Sequence, residues 1–181
     1  YLNQDTKGTT ITFWHSMGGV NGEAMDYLVN KFNEENTDGI TVEAVYQGEY
    51  DDTINKLKSA QIGNMGADLV QIYDIGTRFM IDSGWVIPMQ ELINADGYDI
   101  SQIEPNIAAY YTVNNELYSM PFNSSTPILY YNKDMFEKAG ITEVPTSLEG
   151  ILAIGDDLKT KGGAGEPLAL SIYGWYFEQW R

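Results

Sequence analysis

Three β-type runs separated by two stretches of helical period constrain this chain more than any other feature of it. Residues 10–15 (TITFWH) carry β-branched and aromatic side chains in partial alternation and read as a first strand. Residues 40–46 (ITVEAVY) read as a second strand. Residues 67–73 (ADLVQIY) read as a third, apolar enough to be a central one. After a turn at Ser16-Met17-Gly18-Gly19, a helix is expected from Asn21 or Gly22 to about Glu35, with Met25, Leu28, Val29 and Phe32 at helical spacing. A second helix is expected over residues 49–62, with Ile54, Leu57 and Ile62 broadly on one side and residues 63–66 ending it. Parallel neighbours can be joined only by a crossover, so this alternation predicts an α/β fold: a parallel sheet with helices on both faces.

Further along, short helices are expected around residues 75–82, 89–95 and 101–110, and a hairpin over 111–120 around Asn114-Asn115. Residues 120–134 (MPFNSSTPILYYNKD) follow. Their polar crossing, Phe122-Asn123-Ser124-Ser125-Thr126, opens into an apolar run at 127–131 that reads as a buried strand, closed by a helix start at Asn132-Lys133-Asp134. A short helix over 135–139 ends at Gly140. A longer one over 147–161 has Thr146 as N-cap and Glu149 reaching back in a capping box, with Gly150 and Gly155 weighing against it. Residues 161–165 (KGGAG) are the most linker-like, 167–173 read as another strand, and the aromatic 174–181 as the start of a helix.

Charge and residue inventory exclude several function classes. A formal net charge of −16 repels nucleic-acid phosphates and anionic membranes, and argues mildly against an anionic ligand. Without cysteine there is no disulfide, thiol nucleophile or thiolate metal site, and a lone histidine, His15, cannot build a multi-histidine metal site. No serine-nucleophile motif, phosphate loop or dinucleotide fingerprint is present. The acidic pairs Asp51-Asp52 and Asp156-Asp157 are adjacent, so on a helix they point about 100° apart and form no dyad. No enzyme activity, metal or cofactor is expected, and His15 reads as structural or cleft-lining. Tyr1 to Gly8 is a polar lead-in, of the kind left when a signal segment is removed.

The segment PFNSSTPILYYNKDMFEKAG closely resembles the hinge of family 1 extracellular solute-binding proteins of ABC importers, nearest to the glycerol-3-phosphate-binding group. FWHSM at residues 13–17, VYQGEY at 45–50 and QIYDIGT at 71–77 are similar to further motifs of that group. The resemblance implies a type II periplasmic-binding-protein architecture, exported and either periplasmic or lipid-anchored. It implies an N-terminal lobe over residues 1–122 whose return segments are missing, a hinge crossing at 123–126 and the beginning of a second lobe at 127–181. Such proteins run to greater length, so the chain is expected to be an N-terminal portion; its end at Arg181 is also what a trypsin-like cut leaves.

The function so implied is capture of sn-glycerol 3-phosphate or a glycerophosphodiester by two-lobe closure. The protein would act as a monomer, with membrane permease subunits of the importer as partners. The resemblance assigns Ser125 and Tyr50 to phosphate, Asp74 to glycerol hydroxyls, and Trp175 and Trp14 to the walls of the cleft. The plainer alternatives are a hinge turn capped by hydroxyls for Ser125, half-buried packing for Tyr50, helix capping for Asp74 and core packing for Trp175. Asp74 stands where that group has a glutamate, an acid one methylene longer, which leaves the depth of the pocket open. Two rival functions remain: the same scaffold binding a neutral sugar, and an acidic extracellular enzyme acting on glycans or phosphoesters. Thirteen tyrosines and the negative charge favour the sugar; no recognisable acid pair or metal cluster supports the enzyme.

Overall fold

A computed structural model describes residues 8–63 and 65–180; most of the polar lead-in and the terminal Arg181 lie outside the described residues. The chain divides into two compact units, Tyr1–Ser124 and Ser125–Arg181.

In the first unit, β1 (Thr9–His15), β2 (Ile40–Tyr46) and β3 (Leu69–Val70) form a parallel sheet in the order β2-β1-β3. β1 pairs with β2 over its whole length, from Thr9 opposite Ile40 to His15 opposite Tyr46, and with β3 at Phe13–Leu69 and Trp14–Val70. The crossovers are α1 (Gly19–Glu35) and α2 (Tyr50–Gln61). Thus the predicted parallel βαβαβ unit is present, but its central strand is β1. The third strand is a short edge: Asp68 accepts from the Thr12 amide through its side chain (2.9 Å) and donates its own amide to the Thr12 carbonyl (3.1 Å), and the ladder ends with the Gln71 amide on the Trp14 carbonyl (2.8 Å). Beyond it the chain turns into a 3-10 segment at Asp74–Gly76, so residues 67–73 do not extend as a full strand.

The outer edge of β2 is closed by two asparagines of the α1 end. Asn33 donates to the Val42 carbonyl (2.9 Å) and accepts from the Val42 amide (2.8 Å). Asn36 does the same at Ile40, at 3.0 and 3.1 Å. Each amide side chain imitates one residue of a neighbouring strand, removing backbone donors and acceptors that would otherwise template a foreign strand. Of the expected apolar stripe on α1, only Met25 is buried; Leu28 and Phe32 remain 47% and 43% exposed. On α2, Ile54 and Leu57 are buried as expected, whereas Ile62 lies past the helix end and is 92% exposed. The helix starts with a reciprocal cap between Glu49 and Asp52.

Three short helices follow, α3 (Thr77–Ser83), α4 (Met89–Asp96) and α5 (Pro105–Tyr110), near their expected positions. Glu104 caps α5 by accepting from the amides of Asn106 (2.7 Å) and Ile107 (3.2 Å), with proline at the first helical position where its missing N–H costs nothing. β4 (Thr112–Val113) and β5 (Glu116–Leu117) form the predicted hairpin. Asn114 and Asn115 both take positive φ, 51° and 66°, the geometry whose twist suits a two-residue hairpin. Leu117, Met80 and Ile93 are the buried apolar residues of this part.

The second unit is helical: α6 (Lys133–Ala139), α7 (Leu148–Thr160) and α8 (Gly174–Gln179). The apolar runs 127–131 and 167–173, expected as strands, form no β-ladder among the described residues, and Ile128, Tyr130 and Ile172 are 65%, 87% and 106% exposed. A strand is defined by the ladder beside it, and among the described residues none runs alongside either segment. The N-cap of α7 is Ser147, whose hydroxyl accepts from the Gly150 amide (3.1 Å); the expected box on Thr146 is displaced by one residue because Ser147 is the last extended residue. The helix runs through Gly150 and Gly155.

Residues 161–165 are not a linker. Gly162 is buried where α7 ends against the start of α6, and a Cβ there would lie 2.7 Å from the carbonyl oxygens of both Leu158 and Met135. Gly162→Ala should therefore destabilise the second unit by about 1–3 kcal/mol, the usual range for overpacking a close contact. Urea unfolding followed by amide exchange of α6 and α7 checks this; an unchanged midpoint would mean the helix ends separate freely.

Candidate functional site

The carboxyl ends of parallel strands are where such sheets place binding groups, since the following loops and helix N-termini converge there. In the first unit this rim is made by Ser16 and Met17 after β1, Gln47 to Tyr50 after β2, and Gln71 to Asp74 after β3. The starts of α1 and α2 face the same rim. α1 has no acidic residue in its first turn and no side-chain cap, so its positive end is not neutralised locally.

A chain of hydrogen bonds ties the rim together. The Ser16 amide donates to Gln71 Oε1 (3.0 Å), and the Ser16 hydroxyl pairs with Thr53 Oγ1 (2.6 Å) in a buried position. Gln71 Nε2 donates to Asn123 Oδ1 (2.8 Å). Asn123 Nδ2 in turn donates to the Tyr50 hydroxyl (3.3 Å) and to Met17 Sδ (3.4 Å). Tyr50 stacks on Tyr73 with ring centroids 5.6 Å apart and 22° between planes, and Tyr73 donates its hydroxyl to Asp51 Oδ1 (2.6 Å). Asp74 accepts from the Ile75 amide (2.9 Å) and from the Tyr110 hydroxyl (3.4 Å). Tyr111 and Ser124 share a hydroxyl contact at 3.2 Å.

The expected site residues fall as follows. Tyr50 sits half-buried at the first position of α2, inside this network, and Asp74 opens the 3-10 turn next to it in sequence from Tyr73. Trp14 lies one residue inside the sheet, flanked in register by Val45 and Val70, on the face opposite Phe13 and His15. Ser125 is the exposed first residue of the second unit, and Trp175 lies half-buried in α8, edge-on to Tyr176 at 5.3 Å. Gln71, Thr53 and Ser16 were not singled out from sequence. Ser16 and Gln71 lie within the motifs FWHSM and QIYDIGT but were given no role there, and Thr53 left no trace.

His15 is 3% exposed, between Phe13 (5.8 Å) and Tyr46 (5.9 Å), and its Nδ1 accepts from the Met17 amide (3.3 Å). The neutral ring thus carries its proton on Nε2. Burial pushes its pKa below the ordinary 6.5, with Asp26 pulling the other way. No group of histidine and acidic side chains among the described residues could hold a metal ion.

The first unit is thus a small parallel α/β unit carrying polar side chains at its strand ends, where open sheets of this kind bind ligands. The sequence profile described as "Bacterial extracellular solute-binding protein" matches residues 18–181, and the chain belongs to that family. It is 43% identical over 146 residues to the sn-glycerol-3-phosphate-binding periplasmic protein UgpB of Salmonella paratyphi A, covering 78% of this chain and 33% of the relative. It is 37% identical over 161 residues to UgpB of Escherichia coli K12, covering 85% and 36%. The chain thus spans about a third of the length of these relatives. Among solved structures, UgpB from Mycobacterium tuberculosis in complex with glycerophosphocholine superposes with a TM-score of 0.69 at 27% identity, over 83% of this chain and 38% of that one. The galacto-N-biose/lacto-N-biose I-binding protein of Bifidobacterium longum superposes with a TM-score of 0.65 at 25% identity, over 83% and 38%. The family's extracellular character agrees with the exported location expected from sequence, and no helix among the described residues is long and apolar enough to cross a membrane.

Protonating His15 removes the acceptor for the Met17 amide and charges a buried ring. Since its folded pKa lies below the unfolded value, the stability it contributes is full above about pH 6.5 and is lost as pH falls through the folded value. The protein should melt at progressively lower temperature below pH 6.5, and His15→Phe should flatten the part of that decline lying above the carboxylate range. Melting curves of both proteins at stepped pH check this; parallel declines would exclude a role for His15.

Proposed function

We propose that this chain forms part of the substrate-binding subunit of an ABC importer and takes part in capturing sn-glycerol 3-phosphate or a glycerophosphodiester for delivery to the importer's permease subunits. The observation that carries this reading is the hydrogen-bonded rim, in which Tyr50 is held at the start of α2 within a network anchored on the backbone of β1. A phosphate needs fixed donors and a positive local potential in a chain of net charge −16, and the uncapped N-terminus of α1 at the same rim supports that requirement.

In this reading Tyr50 donates to phosphate oxygens. Asp74 accepts from glycerol hydroxyls, a carboxylate having about four acceptor sites to share with Ile75 and Tyr110. Ser125 supplies a second hydroxyl for phosphate and Trp175 an apolar wall; each is testable by its own substitution. Trp14, set inside the sheet, contributes by packing under the rim. The relatives named for sn-glycerol 3-phosphate and the structure holding glycerophosphocholine support the choice of ligand.

A second reading, a neutral sugar on the same scaffold, is favoured by a rim rich in tyrosine hydroxyls and carboxylates, Asp51 and Asp74 among them. Titration calorimetry with sn-glycerol 3-phosphate, glycerophosphocholine and maltose separates the two. Saturable binding of the phosphate compounds is expected, weakened about tenfold or more by Asp74→Ala and by Ser125→Ala, the cost of losing a charge-assisted hydrogen bond. Heat from maltose alone would transfer the reading to sugars.

A further inference from the structure

Gln71, flanked by Val70 and Ile72, is a buried polar residue, 9% exposed, whose two amide atoms are both committed. Its orientation leaves no choice. The Ser16 backbone N–H is only a donor, so Gln71 must present its oxygen there. Its Nε2 then has to donate, which obliges Asn123 to offer Oδ1. Asn123 consequently presents both its N–H groups on the other side, one to Met17 Sδ and one to the Tyr50 oxygen. A phenol that accepts on one side turns its own hydrogen away from that donor. Four groups separated by up to 106 positions in sequence, as between Met17 and Asn123, are thereby polarised in one direction by a single main-chain amide.

We propose that Gln71 is a positioning residue that sets the hydrogen-bond polarity of the site, making the Tyr50 hydroxyl a donor toward bound solute through Asn123. The group recognised at Tyr50 is then an acceptor oxygen, such as an unprotonated phosphate oxygen. This rests on the binding role proposed above for Tyr50, and extends it to residues that need not touch the solute. Gln71 acts in two stages. Its oxygen holds the Ser16 amide in place at the end of β1, and its nitrogen fixes which way the Asn123 amide faces. With the hydrogen of Tyr50 already aimed outward, a ligand oxygen meets a donor without a reorientation penalty, the kind of preorganisation that separates binding from mere contact. Stacking on Tyr73, itself locked by Asp51, holds the Tyr50 ring so that only the hydroxyl hydrogen is left to be set.

The test is a double-mutant cycle read by calorimetry with sn-glycerol 3-phosphate as probe. Gln71→Met should weaken binding about tenfold, the effect of one lost hydrogen bond, while adding nothing in a Tyr50→Phe background. Losses that simply add, or an unchanged affinity in Gln71→Met, would overturn the proposal. Asn123→Ala, at an exposed position, runs the same cycle should Gln71→Met fail to fold. If the unmodified protein shows no heat with this probe, the ligand assignment fails and the relay is judged by itself. Gln71→Met should then shift the Asn123 side-chain NH2 signals in the 15N spectrum, and their staying in place would exclude the relay.

Discussion

β1 has hydrogen-bonded neighbours on both sides, and the other parts of the first unit take their places from that ladder. Its pairing with β2 sets α1 against the sheet, and its pairing with β3 brings residues 71–74 beside residues 15–17. Because all three strands run the same way, their carboxyl ends and the N-termini of the crossovers arrive together on one rim. A buried backbone group must find a partner, so the exposed edge of β2 is closed by Asn33 and Asn36, and the open amide past the end of β1 is closed by Gln71. The same requirement that completes the sheet therefore places the first member of the hydrogen-bond network along the rim.

In the function proposed for it, the rim is what would reconcile an acidic chain with a phosphate ligand. Formal charge acts over the whole surface and is screened within about 8 Å at physiological salt, whereas donors and a helix end act at contact distance. The carboxylates at the rim are engaged: Asp51 accepts from Tyr73, and Asp74 accepts from Ile75 and Tyr110. They act there as acceptors that orient tyrosines.

Elements whose stability is local were legible in the sequence. The hairpin at Asn114-Asn115 followed from the two residues that best tolerate positive φ, and α1, α2 and β2 from periodicity and glycine punctuation. The segments 127–131 and 167–173 were misread because apolar composition describes what a strand packs against and says nothing about which strand pairs with it. Gly162 was misread in the opposite sense. Three glycines in four residues look like slack chain, yet this one is required by the approach of two backbones. Motif resemblance nominated Tyr50, Asp74, Ser125, Trp175 and Trp14, and it could not show that Tyr50 and Asp74 are held by hydrogen bonds from Asn123 and Tyr110.

The order of strands and crossovers, the α/β class, the family and the exclusion of thiol and multi-histidine metal chemistry were determined by the sequence alone. Each depends on residue type and on neighbours within a few positions. Tertiary structure decided that β1 is central, that Gln71 and not its neighbours is the polar keystone, and that Asn123 and Tyr50, 73 residues apart, share a hydrogen bond. Hydrogen-bond direction is a property of groups meeting through space, and it exists only once the sheet has brought those distant residues to the same rim.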